Sequence, residues 1–391
     1  MIDSVSSVTV SERAHGSAGP TPPAPWRPVL LRLTDPRDRA RFDSLLASGS
    51  VRELHDRIED QLAELVRCLD PGAAPDGPAH AAAVADLLAG TELQQYGSWV
   101  WYPWSRRLVH VLPEREFRRV RTDRNRDKIT CVEQELLLGR RIGVVGLSVG
   151  NSAALTCAME GVGGSFRLAD FDHIGLSNLN RLRAGVHDLG VAKTVLCARQ
   201  MYETDPYLDI ELWSEGLTED TLDAFFGADG SDGAALDLVV EECDTPWVKT
   251  AVREHARVRR VPVLMDANDR GMLDVERFDL EPGRPLFHGR GGGLTAGEVR
   301  ALGPAATTAY LLDICDEANL SPAMTDALRR IGTTLASWPQ LASGVVLGGA
   351  LVTDTARRVL LGHPVASGRY YVDLEELVGH AKTPATVGAT P

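Results

Sequence analysis

Residues 141–193 constrain this 391-residue chain more tightly than any other stretch. An apolar run, Ile142-Gly143-Val144-Val145, leads straight into a glycine-bearing turn, Gly146-Leu147-Ser148-Val149-Gly150-Asn151-Ser152, and then into a helical segment. A second apolar run, Phe166-Arg167-Leu168-Ala169, ends in Asp170-Phe171-Asp172. Continuous apolar strands are expected where both faces of a parallel sheet are covered. A turn between such a strand and a helix aims backbone amides and the helix dipole at an anion. An acid ending the neighbouring strand can hold ribose hydroxyls. Taken alone the turn is a weak signal, because Ser148 and Asn151 occupy two of the three glycine positions of the dinucleotide fingerprint.

The alternation continues downstream. Strands are predicted at 208–213, 236–240 and 261–265, and helices at 152–161, 191–202, 218–226 and 247–258. That pattern specifies a doubly wound, mostly parallel α/β sheet of Rossmann-like type with right-handed crossovers. Ligands of such sheets lie beyond the carboxyl ends of the strands, where Gly146, Asp170, Asp244 and Asp266 fall.

The flanks read differently. Residues 1–28 are rich in Ser, Gly and Pro and predict a disordered tail. Residues 29–120 form an N-terminal α+β region. Helical spacing runs over 51–69, where Glu53 and Arg57 make an i,i+4 pair; a short helix ends at Leu88. Residues 99–104 and 108–112 form a hairpin with Arg106-Arg107 near its turn, its aromatics building a small core or, alternatively, a ligand platform. Residues 121–300 are the nucleotide-binding domain, interrupted by flexible loops at 227–233 and at Gly289-Arg290-Gly291-Gly292-Gly293. Residues 301–391 read as a helical C-terminal part. There Gly348-Gly349-Ala350 predicts close helix packing, within the chain or against a second subunit.

A net charge of -13 argues against a general nucleic-acid binder. The arginine-rich run Arg115, Arg118, Arg119, Arg121, Arg124, Arg126 and Lys128 is interleaved with Glu114, Glu116, Asp123 and Asp127, as in a solvated or anion-facing segment. None of the six cysteines forms a CxxC pair, which argues against a tetrahedral zinc site. No secretory signal or bilayer-length apolar run is present, so a reduced, cytoplasmic protein without membrane contact is expected.

The segment Asp170-Phe171-Asp172-His173-Ile174-Gly175-Leu176-Ser177-Asn178-Leu179-Asn180-Arg181, followed by Gly190 and Lys193, resembles the nucleotide-binding core of the ThiF/MoeB adenylyltransferases, members of the ubiquitin-activating enzyme superfamily. Glu242-Cys243-Asp244-Thr245-Pro246 stands where that family has a Cys-Thr-Asp-Asn strand end. The resemblance covers roughly residues 124–290, with a weaker echo at Trp338-Pro339-Gln340-Leu341. It implies ATP and Mg²⁺ as cofactors and a homodimer. Gly146, Ser148, Gly150 and Asn151 would form the phosphate turn, and Asp170 would hold the ribose. Asn178, Arg181 and Lys193 would contact the triphosphate. Asp244 would hold Mg²⁺ near the α-phosphate, and Arg126 would act in the ATP site of the opposite subunit.

The chemistry asks for such a set on its own account. A carboxylate attacking the α-phosphorus brings anion against anion, and cations must offset the repulsion. Two departures matter. There is no cysteine between Met265 and Ile314, where thioester-forming relatives carry one, and the family's paired CxxC zinc motifs are missing. The implied reaction is activation of a small-molecule or peptide carboxylate, then direct attack by an amine, hydroxyl or amide, or a dehydration. His288, Asp266, Asp269 and Arg270 are candidates for that second step or for loop support. An NAD(P)-dependent oxidoreductase and a non-catalytic nucleotide-binding scaffold are the alternatives. Activity on a tRNA-borne carboxylate remains open because of the arginine-rich run.

Overall fold

The computed structural model describes residues 26–72, 77–227 and 235–379. All but the last three residues of the expected tail, and residues 228–233 of the expected loop, lie outside the described residues. The N-terminal part runs through β1 (Val29–Leu31), α1 (Pro36–Ala47), β2 (Glu53–Asp56), α2 (Ile58–Leu69), α3 (Pro78–Leu88), β3 (Ser98–Tyr102) and β4 (Arg107–Val111). Its four strands form one sheet in the order β1-β3-β4-β2. Trp99 and Trp101 are buried with Leu31, Phe42 and Leu108, so the hairpin aromatics build a core rather than a ligand platform.

The helical reading of 51–69 needs a correction, because its first turn is the edge strand β2, parallel to β4. Glu53 pairs across the sheet with Arg107 at 2.9 Å, and Arg57 turns to Asp60 instead of to Glu53. The Asp56 carboxylate accepts the Ile58 N–H at 3.3 Å, and the helix starts only there. Spacing alone could not see a strand that long-range pairing imposes.

After α4 (Glu114–Arg121) and α5 (Cys131–Leu138) the main sheet begins. It comprises β5 (Arg141–Val145), α6 (Gly150–Glu160), β6 (Ser165–Ala169), α7 (Lys193–Thr204), β7 (Asp209–Trp213), α8 (Glu219–Phe226), β8 (Leu238–Glu241), α9 (Pro246–Arg259), β9 (Val263–Ala267) and β10 (Met272–Glu276). Helices α10 (Ala296–Arg300), α11 (Pro304–Ile314), α12 (Pro322–Leu328) and α13 (Ala342–Leu360) follow, then β11 (Gly368–Tyr371). Among the described residues the sheet has seven strands in the order β11-β10-β9-β8-β5-β6-β7. From β5 the chain winds outward through β6 and β7, then returns to β8 on the other side. The strand order therefore reverses between β5 and β8, the crevice where such sheets bind ligands.

β10 and β11 run antiparallel, so the tail is not purely helical. The glycine run near residue 291 is not an open loop either. Gly291 lies on Tyr310 and donates its N–H to Asp313 at 2.6 Å. The close packing predicted at Gly348-Gly349 is internal: a Cβ on Gly349 would collide with Ser152 of α6. Among the described residues no helix is long and apolar enough to cross a membrane.

Charge is also buried beneath the sheet. Arg253 is fully buried between Glu241 and Glu276, with its guanidinium 4.2 Å from the Phe287 ring centre. Asp274 meets His288 at 2.9 Å and Arg369 at 2.6 Å. These pairs lock α9, β8, β10 and β11 together.

Candidate active site

The turn after β5 is fixed by contacts on both sides. Gly146 has φ +88°, and a Cβ there would stand 2.6 Å from backbone atoms of Glu242 and Cys243. Only glycine tolerates both demands. The N–H of Leu147 donates to Asp170 Oδ2 at 2.6 Å, and that of Asp172 to Asp170 Oδ1 at 2.8 Å. Burial pushes the Asp170 carboxyl up; the Lys193 charge and the two amides oppose that shift. Lys193 Nζ lies 2.7 Å from Asp172 and 3.9 Å from Asp170, so Asp172 steers the lysine toward the acid. Together with Gly146, Ser148, Phe171, Asp244 and Trp247 these side chains line a cavity of about 270 Å³ at the switch point.

A second cavity of about 200 Å³ shares Glu242, Cys243 and Asp244 with the first. Arg181 stands on its rim, with Nε and Nη2 donating to Ser148 Oγ at 3.2 and 3.0 Å and Nη1 to Asn180 Oδ1 at 2.9 Å. Burial lowers the Arg181 pKa, and the charge of Asp244 opposes that shift. The walls beyond are largely apolar: Met265, Met272, Leu311, Leu320, Met324 and Trp338. Glu242 and Asp266 are buried side by side. Burial and then the Asp266 charge push Glu242 well up, and burial pushes Asp266 to about 7. Cys243 and Cys315 also line this cavity, and burial raises both thiols.

The candidate residues therefore divide. Gly146, Ser148, Asp170, Lys193 and Asp244 line the first cavity; Arg181 and Asp244 line the second. Four others are spent elsewhere. Asn178 Oδ1 accepts the Gly175 N–H at 2.9 Å and closes its own turn. Asn151 is buried and donates to Gln200 at 3.2 Å, while Gly150 admits close packing on Val144. Arg126 pairs with Asp123 at 2.7 Å beside a separate depression lined by Arg119, Gln134 and Leu138. Three candidates for a second step are occupied as well: Asp269 by Ser321, Arg270 by Asp373 and His288 by Asp274. Part of the arginine-rich run is engaged internally too, with Arg118 and Arg121 on the buried Asp205.

Sequence reasoning assigned no role to Glu242 or Lys249, which both line the second cavity. The available signal was Glu241-Glu242 at the end of an apolar strand, since consecutive acids there need buried partners. Lys249 supplies one, 3.1 Å from both oxygens of Glu241.

Comparison with known proteins adds the following. The ThiF family model matches residues 122–367. The "uncharacterized protein MT1398" of Mycobacterium tuberculosis (strain CDC 1551 / Oshkosh) is 42% identical over 356 residues, or 91% of this chain. The chain spans only 46% of the length of that relative. Among solved structures, PaaA is 19% identical with a TM-score of 0.45, covering 63% of this chain and 73% of that one. The E. coli tRNA N6-threonylcarbamoyladenosine dehydratase TcdA, in complex with ATP, is 16% identical with a TM-score of 0.44, covering 62% and 95%. E. coli MccB with MccA-N7isoASN is 13% identical with a TM-score of 0.43, covering 80% and 83%.

Proposed function

The chain belongs to the ThiF family, and on that premise we propose that it is an ATP- and Mg²⁺-dependent adenylyltransferase. It would activate the carboxylate of a small molecule or peptide as an acyl adenylate. The observation that carries this reading is the shared wall Glu242-Cys243-Asp244 between two cavities, one lined by Asp170 and Lys193, the other by Arg181 together with Met265, Met272, Leu311 and Met324. ATP would occupy the first with its ribose at Asp170. The acid would enter through the second, and Arg181 and Lys193 would offset the charge that accumulates as carboxylate oxygen approaches the α-phosphorus.

Asp244 fits a role toward Mg²⁺. Among the described residues no cluster of three or more His, Cys, Asp or Glu side chains is placed to cage a metal alone. Mg²⁺ characteristically takes one or two carboxylates and completes its shell with phosphates and water. Bound there, it would neutralise developing phosphate charge. Cys243 and Cys315 are disfavoured as thiolates by burial, which supports acyl transfer directly to an amine, hydroxyl or amide, or a dehydration, without an enzyme thioester. Arg126 lines neither cavity of its own chain and would act, released from Asp123, in the site of a partner subunit of a homodimer.

Pyrophosphate release from ATP and a panel of carboxylic acids tests the assignment. Release should depend on one class of acid and disappear in Asp244→Ala. Full release by that variant would remove the proposal.

A further inference from the structure

The second cavity contains acceptors that meet no donor among the described residues. Asp266 ends β9 with 6% of its surface exposed, and neither Oδ1 nor Oδ2 finds a hydrogen-bond donor among the described residues. Asn268 Oδ1, on the same cavity wall, lacks one as well. Each buried acceptor left unmet costs about 1–3 kcal/mol, and such groups in native proteins call for an explanation.

The surroundings leave little else to fill the need. Glu242 Oε1 accepts the Asp266 backbone N–H at 2.7 Å, so that carboxyl brings no cation to the acid. Lys249 is held 3.1 Å from both oxygens of Glu241 and 3.3 Å from the Met265 sulfur. Arg181 is turned to Ser148, Ser177 and Asn180. On the far side α13 presents Gly348, where a Cβ would collide with the Asp266 carboxyl. The absent side chain is what leaves the acid room. Beside it lie Met265, Met272, Leu311 and Met324.

We infer that this cavity receives a primary ammonium group carried on an apolar body, with Asp266 as its anchoring residue. A carboxylate at that end would bring further acceptors to Glu242, Asp244 and Asp266, while the lining cations Lys249 and Arg181 are already engaged by Glu241 and by Ser148 and Asn180. Among the described residues no group of three or more His, Cys, Asp or Glu side chains is placed to cage a metal ion there. An organic ammonium brings three donors, matching Asp266 Oδ1, Oδ2 and Asn268 Oδ1, and its apolar remainder suits the methionine and leucine walls. The inference rests on the adenylation reading only for what the amine does. It would belong either to the activated acid, as in an amino acid, or to the acceptor that attacks the adenylate.

The test is calorimetric titration of the full chain, with Mg·ATP present, by the amides of leucine, methionine and phenylalanine and by their N-acetyl derivatives. At least one amine should bind tenfold or more tightly than its N-acetyl counterpart, and Asp266→Asn should erase the difference while leaving ATP affinity unchanged. Equal binding of amine and N-acetyl forms by the unaltered protein overturns the inference. So does an amine preference that survives in an Asp266→Asn protein still binding ATP. The wild-type comparison decides alone if that variant fails to fold. ATP–pyrophosphate exchange then separates the two sources. Exchange with an apolar amino acid but not its N-acetyl form places the amine on the acid; amine binding with exchange only by acids lacking an amine places it on the acceptor. An amine preference without exchange by any acid would remove the adenylation reading and leave the ammonium site standing.

Discussion

Gly146→Ala is the most demanding test of the geometry. The residue sits at φ +88°, a conformation that costs an L-residue about 1–2 kcal/mol. The added methyl would stand 2.6 Å from the carbonyl carbon and oxygen of Glu242 and from the N–H nitrogen of Cys243, all backbone atoms that cannot rotate away. Relief requires several tenths of an ångström of separation between the β5 turn and the end of β8, the two segments that meet at the crevice. With typical severe substitutions as a guide, the total loss should reach about 3–4 kcal/mol. Gly150→Ala is the matched control. Its backbone is ordinary, and its Cβ would press on a side-chain methyl of Val144 at 2.9 Å and make ordinary contact with the Glu242 side chain at 3.5 Å. Thermal unfolding with and without Mg·ATP reads both effects. Gly146→Ala should lower the melting temperature well below that of Gly150→Ala and lose most of the nucleotide-induced rise. If Gly146→Ala melts with the wild type and keeps the full nucleotide response, the contact between turn and strand end does not shape the site.

Other outcomes follow from the buried charges. Lys193→Met should weaken ATP binding tenfold or more, about 1.4 kcal/mol, because Asp170 and Asp172 lose their cation; unchanged affinity by calorimetry would contradict the placement. Arg253→Met leaves Glu241 and Glu276 buried without their guanidinium and should cost about 3–5 kcal/mol in chemical unfolding, whereas a loss under 1 kcal/mol would mean the pairs add little. Asp266, raised to about 7 from an ordinary 3.8, keeps its proton in the fold after the unfolded chain has released it. Its contribution is therefore greatest at low pH and falls between about pH 4 and 7, by up to about 1.4 kcal/mol per unit. Asp266→Asn should remove that slope, and parallel stability–pH curves for the two proteins would refute it.

Much of the architecture could be read from residue order because β5, β8 and β9 carry unbroken apolar runs (142–145, 238–240 and 263–265) and β6 breaks its own only with Arg167, as strands covered on both faces do. β10 escaped notice for the opposite reason. Met272–Glu276 carries Asp274 and Glu276, which look solvent-facing until Arg369 and Arg253, far away in sequence, are seen to neutralise them. The lining of the first cavity was legible where residues stand at strand ends, as Gly146, Asp170 and Asp244 do. It was not where a local turn claims the side chain, as for Asn178. Asp266 was visible as a candidate, but its lack of partners depends on Gly348, a helix residue 82 positions later.

The seating of Gly349 on Ser152 has a mechanical consequence. Two rods crossing without a spacer cannot slide independently, and the first turn of one of them borders the crevice. Displacement of the long C-terminal rod, by a bound partner or by a bulky residue at its glycines, would be transmitted directly to that first turn without any substitution at the ligand-facing side chains themselves.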